Sequence, residues 1–185
     1  MALQKETQRY TYADYCVWDD GERWELIDGV PYMMSPAPSR VHQSISGQLY
    51  GQLFNFLKDK PCKVYHAPFD VRLNIDKEDD TIVQPDLLVV CDESKLDDKG
   101  CKGAPDMVIE IVSPSTAQHD KVLKFNKYLQ VGVREYWIVD PDSKTVTVHV
   151  LEHGNYITNA YGDTDAAPIH VLKGCTIHFQ DVFAE

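Results

Sequence analysis

Along the chain the hydrophobic positions change their period several times, and each change marks an element. Thr11 to Trp18 opens on a Thr-x-x-Asp cap (Thr11, Asp14) and reads as a short helix. Two strand patterns, Arg23–Ile27 and Val30–Met34, are joined by Asp28-Gly29, a dipeptide suited to a two-residue hairpin turn. Ser35-Pro36-Ala37-Pro38-Ser39 breaks the chain before a helix at about Val41–Lys58, where Ile45, Leu49, Leu53 and Phe56 or Leu57 form one apolar stripe. Three strand-like runs follow with no helix between them: Cys62–Leu73, Thr81–Val90 and Pro105–Val112. They predict an antiparallel or mixed meander. A second helix is expected from Ser113-Pro114-Ser115-Thr116 to Gln130, with Gly132 in the position just past its end that favours glycine. Arg134–Val139 is a short strand stopped by Pro141-Asp142-Ser143. Thr145–Leu151 alternates Val146, Val148 and Val150 with polar residues, the mark of a half-buried strand. Tyr156–Thr158, Ile169–Leu172 and Thr176–Phe179 read as sheet extension. From Val41 onward the order is helix, three strands, helix, strand, so the pattern predicts an α/β fold on one mixed sheet, with an N-terminal hairpin and a C-terminal strand extension.

Composition narrows the class. The 185 residues suit one domain, 1–185, and 43% hydrophobic with 25% charged residues excludes disordered and fibrous chains. The longest apolar runs, such as Leu87 to Cys91, fall far short of the ~18 residues that span a bilayer. The N-terminal residues lack the apolar stretch and cleavage site of a secretory signal, so a cytoplasmic protein with no membrane partner is expected. Cys16, Cys62, Cys91, Cys101 and Cys175 are odd in number and form no Cys-x-x-Cys pair, which predicts reduced, structural thiols. The 18 basic and 29 acidic side chains give a net charge of −11, which repels nucleic acid unless basic groups gather on one face.

The candidate chemistry is acidic. There is no glycine-rich phosphate loop, no Gly-x-Ser-x-Gly elbow and no His-Glu-x-x-His helix. Asp86 stands in the otherwise apolar run Ile82–Val90, and Glu110 shares its strand face with Val108 and Val112. A carboxylate buried among branched apolar side chains needs compensation, and a shared divalent cation would supply it. Opposed side chains on adjacent strands lie ~5 Å apart, close enough for both acids to hold one Mg²⁺ (or Mn²⁺). Asp106 also shares the face of Glu110, but four strand residues separate them by ~13 Å. Asp120, Lys124 and Tyr128 are spaced by four on one face of the following helix, with Lys121 and Lys127 to either side. An ammonium at Lys124 could stabilise charge developing on a phosphate. His42 continues the stripe of Ile45 and Leu49, and Glu25 occupies a hairpin strand, where a glutamate ordinarily faces solvent.

These residues carry a resemblance. Pro85-Asp86 on one strand and Glu110 on the next, within helix-strand-strand-strand-helix-strand, resemble the PD-(D/E)XK nuclease superfamily. More narrowly, Val83-Gln-Pro-Asp86, Val108-Ile-Glu-Ile-Val-Ser-Pro-Ser-Thr116, Asp120-x-x-x-Lys124-x-x-x-Tyr128 and Gly132-Val-Arg-Glu-Tyr-Trp-Ile-Val-Asp-Pro141 are similar to the cyanobacteria-expanded family of restriction-endonuclease-like proteins, a domain of unknown function. Trp24-Glu-Leu-Ile-Asp-Gly29 and His42-Gln43 are similar to that family's front half. The resemblance implies a restriction-endonuclease-like core over about residues 41–140. It also implies a Mg²⁺-dependent endonuclease hydrolysing phosphodiester bonds of nucleic acid, DNA foremost, with Asp86 and Glu110 as metal ligands and His42 and Glu25 as auxiliaries. The superfamily places its lysine two residues after the acid. Here that residue is Val112, so the resemblance implies a lysine relocated to Lys124, expected to serve chemistry while contributing little to stability. The rival is a non-catalytic binding or regulatory module on the same fold, which the charge of −11 favours. Cleavage of both strands of a duplex would favour a homodimer.

Overall fold

In a computed structural model, which describes residues 8–34, 37–75, 78–113 and 119–184, the elements bury apolar side chains on both faces of a central sheet. The chain opens with α1 (Tyr12–Tyr15), whose start is tied by the Asp14 carboxylate accepting from both N and Oγ1 of Thr11 at 2.8 Å. The expected hairpin forms from β1 (Trp24–Ile27) and β2 (Val30–Met33). Its turn puts Asp28 at φ 51° and Gly29 at φ 74°, the left-handed pair that matches strand twist. A side chain at Gly29 would also meet Cβ of Arg9 at 2.8 Å, so this glycine is required twice over.

After the hairpin, α2 (Arg40–Leu57) buries the predicted stripe of Ile45, Leu49, Leu53 and Leu57. Of the three long strand-like runs, the first two are more broken than their pattern suggests. The first divides into β3 (Lys63–His66) and β4 (Asp70–Arg72), and the second into β5 (Ile82–Val83) and β6 (Leu87–Val90). Short strands β7 (Leu96–Asp97) and β8 (Gly100–Lys102) precede β9 (Met107–Ile111). The second helix is described from His119: a π-helix, His119–Lys124, leads into α3 (Phe125–Val131), ended by Gly132 at φ 81° as predicted, and its expected start over 114–116 lies outside the described residues. Then come β10 (Glu135–Asp140), β11 (Thr145–Glu152), β12 (Asn155–Gly162), β13 (Ala166–Pro168), β14 (Thr176–His178) and α4 (Phe179–Val182).

The pattern predicts one mixed sheet, and the structure has two large ones. The central sheet runs β12-β11-β10-β9-β6-β3, with β9 and β10 parallel and the other pairs antiparallel; a front sheet runs β2-β1-β5-β4-β8-β7. Pro68 and Pro85 fall where the chain passes between them, since proline lacks the N–H a ladder needs. Side-chain alternation explains the two cores. Leu87, Val89, Ile109, Ile111, Trp137 and Val139 face α2, whereas Leu88, Val90, Val108, Val112, Tyr136 and Ile138 face the front sheet and Tyr128 of α3. Glu110 is the acid on that second face, between Val108 and Val112.

A second reading of the chain is corrected here. The register Lys63↔Val90 sets Cys62 opposite Cys91, and these two form a disulfide, so the expectation of five reduced thiols fails. The pairing depended on strand register, which cysteine spacing does not reveal. Cys16, Cys101 and Cys175 are free, as expected. Among the described residues no helix is long and apolar enough to cross a membrane.

His149 on β11 packs its ring against Phe125, Tyr136 and Tyr156 at 5.0–5.7 Å, with Nδ1 2.8 Å from Oγ1 of Thr158. Burial holds its imidazole below the usual 6.5. Its folded pKa is therefore depressed, so the stability it contributes is present above pH 6.5 and lost as pH falls through the folded value. Urea denaturation at pH 7.5 and pH 5 should show a smaller acid-induced loss of stability in His149→Gln than in the parent chain. Equal losses in the two would refute this account.

Candidate functional site

Strand register brings the two acids together. The pairs Leu87↔Ile109 and Leu88↔Val108 between β6 and β9, carried one step further, set Asp86 opposite Glu110. Asp86 Oδ2 accepts from the backbone N of Ile111 at 2.7 Å, which ties the first acid to the residue after the second. His42 approaches the same oxygen, its Nε2 3.3 Å away. It stands in the first turn of α2, where its backbone N donates to Oγ of the capping Ser39 at 3.2 Å. Asp86 keeps a partly open side chain, 22% exposed, so this edge of the cluster meets solvent.

The inner part of the cluster is dry. Glu25, Glu110 and Lys124 are 4%, 3% and 3% exposed. The Lys124 Nζ lies 2.8 Å from Glu25 Oε1 and 3.0 Å from Glu110 Oε1, so one ammonium bridges a carboxylate of the front sheet and a carboxylate of the central sheet. Tyr128, one helical turn on, donates its hydroxyl to Glu110 Oε1 at 2.9 Å. Burial, and then the negative charge of Glu110, push that phenol well above its usual value, which keeps it a proton donor. The backbone N of Gln84 donates to Glu25 Oε1 at 2.8 Å.

This geometry corrects two expectations. Glu25 does not face solvent: it is buried, because its hairpin packs as the second layer over the central sheet. Lys124 is not a surface charge of little structural value, because it compensates two buried carboxylates. The compensation sought from a shared cation is thus supplied to Glu110 by an ammonium and a hydroxyl, and to Asp86 by a backbone amide and His42. Lys127 instead pairs with Asp28, and Asp106 is engaged by Cys91 N and Arg134. The side chains of Asp120 and Lys121 lie outside the described residues. Sequence reasoning passed over Gln84, although its signal was present in Val83-Gln-Pro-Asp86: a polar residue in an apolar run, just ahead of the acid.

As for a metal, no three His, Cys, Asp or Glu side chains gather around a common point among the described residues. The donors present are the carboxylates of Asp86 and Glu110. Such a set of hard oxygen ligands fits Mg²⁺, which is commonly held by one or two carboxylates and otherwise by water.

Removing the bridging ammonium leaves two buried acids facing each other. Lys124→Ala is expected to cost about 3–5 kcal/mol, or a melting temperature lower by about 6–20 °C for a chain of this size. Adding Glu25→Gln should recover part of that loss, whereas Lys127→Ala should change stability by less than about 1 kcal/mol. Differential scanning calorimetry of the four proteins checks this, and an unchanged transition in Lys124→Ala contradicts the bridge.

Three comparisons bear on what this arrangement belongs to. A protein of Synechocystis sp., uncharacterized protein slr1290, is 26% identical over 156 residues, 82% of this chain and 80% of that protein. The crystal structure of "a putative nuclease belonging to DUF820" from Anabaena variabilis superposes with a TM-score of 0.74, covering 94% of this chain and 97% of that one at 19% identity, so the two share a fold. The profile of the Uma2 family, described as "Putative restriction endonuclease", matches residues 10–180, from the first helix to the last. A match of that length, on a fold shared with a structure described as a nuclease, makes this chain a member of the Uma2 family.

Proposed function

We propose that the chain is a divalent-metal-dependent endonuclease that hydrolyses phosphodiester bonds of nucleic acid, with DNA as the foremost substrate. The observation that carries this reading is the placement of an ammonium, Lys124, between Glu110 and Glu25, with Asp86 opposite Glu110 in the strand register. Carboxylates at adjacent strand positions with a cation next to them provide oxygen ligands and charge stabilisation in one place. Asp86 and Glu110 would hold a Mg²⁺ or Mn²⁺ ion, which would supply Lewis-acid chemistry and an activated water.

The remaining work falls to the chain's own groups. Lys124 places positive charge where a phosphate gains negative charge on the way to the transition state. Glu25 positions that ammonium, and Gln84 N in turn fixes Glu25. Tyr128 holds Glu110 through its Oε1. Ile111 N and His42 hold Asp86, so the outer acid is oriented before any ligand arrives. Because the chain carries −11 overall, attraction for a polyanion must come from local basic groups, and binding is expected to weaken steeply with salt.

Plasmid, single-stranded DNA and RNA incubated with Mg²⁺ or Mn²⁺ should be cleaved in at least one case, with EDTA abolishing the reaction and Glu110→Gln slowing it by roughly a hundredfold or more. Calorimetric titration should show metal affinity lowered by more than about tenfold in Asp86→Ala. Cleavage that survives in Glu110→Gln argues for another site. No cleavage on any substrate, together with equal metal affinity in Asp86→Ala, would leave a non-catalytic module on a nuclease fold.

A further inference from the structure

Beside the acidic cluster, on the front-sheet side, lies an open pocket of about 400 Å³ that the proposed chemistry does not use. Its volume falls in the range of small-molecule sites, about 300–1,000 Å³. Aromatic rings wall it: Tyr15 and Trp18 lie 5.6 Å apart, Trp18 and Trp24 5.9 Å apart, each pair edge to face. These rings are fixed in advance. Trp24 Nε1 donates to Asp20 Oδ2 at 2.9 Å, and Tyr15 stacks on Tyr12, over which the Arg72 guanidinium lies at 4.0 Å. None of Tyr15, Trp18 and Trp24 is fully buried, so aromatic surface remains open to a ligand.

The polar part of the pocket is centred on Gln84, which is buried. Its amide oxygen accepts from Arg23, and its amide nitrogen donates to Tyr15 OH at 3.1 Å and to Asp70 Oδ1 at 2.9 Å. Tyr15 also donates to Asp70 Oδ1, at 3.2 Å. Both bonds that Asp70 accepts end on the same oxygen, so Oδ2 is available to a ligand, and the exposed guanidinium of Arg23 has donors to spare. A donor and an acceptor therefore stand side by side across Gln84. Every nucleobase carries an adjacent acceptor and donor on one edge and an aromatic face, and this wall offers a partner for each. Paired bases in a duplex expose neither that edge nor that face, so the occupant must be unpaired.

Gln84 is also the link to the acidic cluster, because its side chain lines the pocket while its backbone N binds Glu25, the partner of Lys124. We propose that this pocket receives an unpaired nucleobase of the nucleic-acid strand whose phosphate lies at the Asp86, Glu110 and Lys124 cluster. The inference deepens the nuclease reading and rests on it for the identity of the strand. Lys99, exposed on the pocket rim, adds a positive charge suited to the backbone of that strand. Because stacking and an adjacent donor and acceptor serve all bases, little sequence preference is expected.

The test uses the full chain in EDTA, so that binding is read without cleavage. Affinity for a short fluorescein-labelled single-stranded DNA is measured by anisotropy, with quenching of intrinsic tryptophan fluorescence as a second readout. Arg23→Gln and Trp18→Leu should each weaken binding by about tenfold. Lys173→Gln, which removes an exposed charge elsewhere, should not. Arg23 is exposed, so its variant carries the test even if Trp18→Leu lowers stability. Three results overturn the proposal: unchanged affinity in Arg23→Gln, equal affinity for an abasic strand, or tighter binding of the duplex than of the single strand. Unchanged binding in both variants with cleavage intact removes the pocket and leaves the nuclease reading. Base-dependent binding with no cleavage under metal does the reverse.

Discussion

A single ammonium buried between two carboxylates is the constraint on which the front half of this molecule depends. Lys124 comes from the turn before α3, Glu110 from β9 of the central sheet and Glu25 from β1 of the front sheet, so their contact joins three elements that are distant in sequence. Taking an acid and an amine out of water costs several kcal/mol per ion, and only close geometry with further hydrogen bonds offsets it. The Tyr128 hydroxyl and the Gln84 amide supply those bonds. The hairpin must therefore lie against the central sheet in one register, since a shift of one residue along β1 would turn Glu25 away from Lys124 and set an apolar neighbour in its place. Stability and the proposed chemistry thus rest on the same contact.

The double-layered sheet follows from two prolines and from alternation. Pro68 and Pro85 each end a strand of one sheet just before the chain enters the other, and the central strands are buried on both faces as a result. The strand β9, with all five residues buried, would be a plain apolar strand but for Glu110. An acid in that position is tolerated because the front layer brings its partners. The central sheet alone would leave it exposed on a face otherwise lined by apolar side chains.

Charge distribution sets the problem for any polyanionic partner. With a net charge of −11 the molecule has no long-range attraction for nucleic acid. What it offers at its surface is local: Arg23 and Lys99 at the pocket beside the cluster, and aromatic surface whose stacking does not rest on charge. A binding mode that engages single-stranded bases suits such a surface better than one that tracks a duplex through phosphate contacts.

Much of the fold could be read from local pattern, because helix and hairpin signals act over a few residues. The stripe of Ile45, Leu49, Leu53 and Leu57, the Asp28-Gly29 turn and the glycine after α3 all act within one element, and each stands where its spacing predicts. The acids Asp86 and Glu110 were legible as well, since a carboxylate in an apolar run is conspicuous wherever it folds, and the family-like motif pointed to Lys124. What the sequence did not disclose is every feature that depends on which strands are neighbours. The division of two long runs into two sheets, the Cys62–Cys91 bond, the burial of Glu25 and the assembly of Tyr15, Trp18, Arg23, Asp70 and Gln84 around one pocket are of this kind. Periodicity states which face of a strand is apolar, but pairing free energy depends on side chains brought from tens of residues away. Only the packed tertiary structure decides those contacts, and with them whether a glutamate in a hairpin meets water or an ammonium.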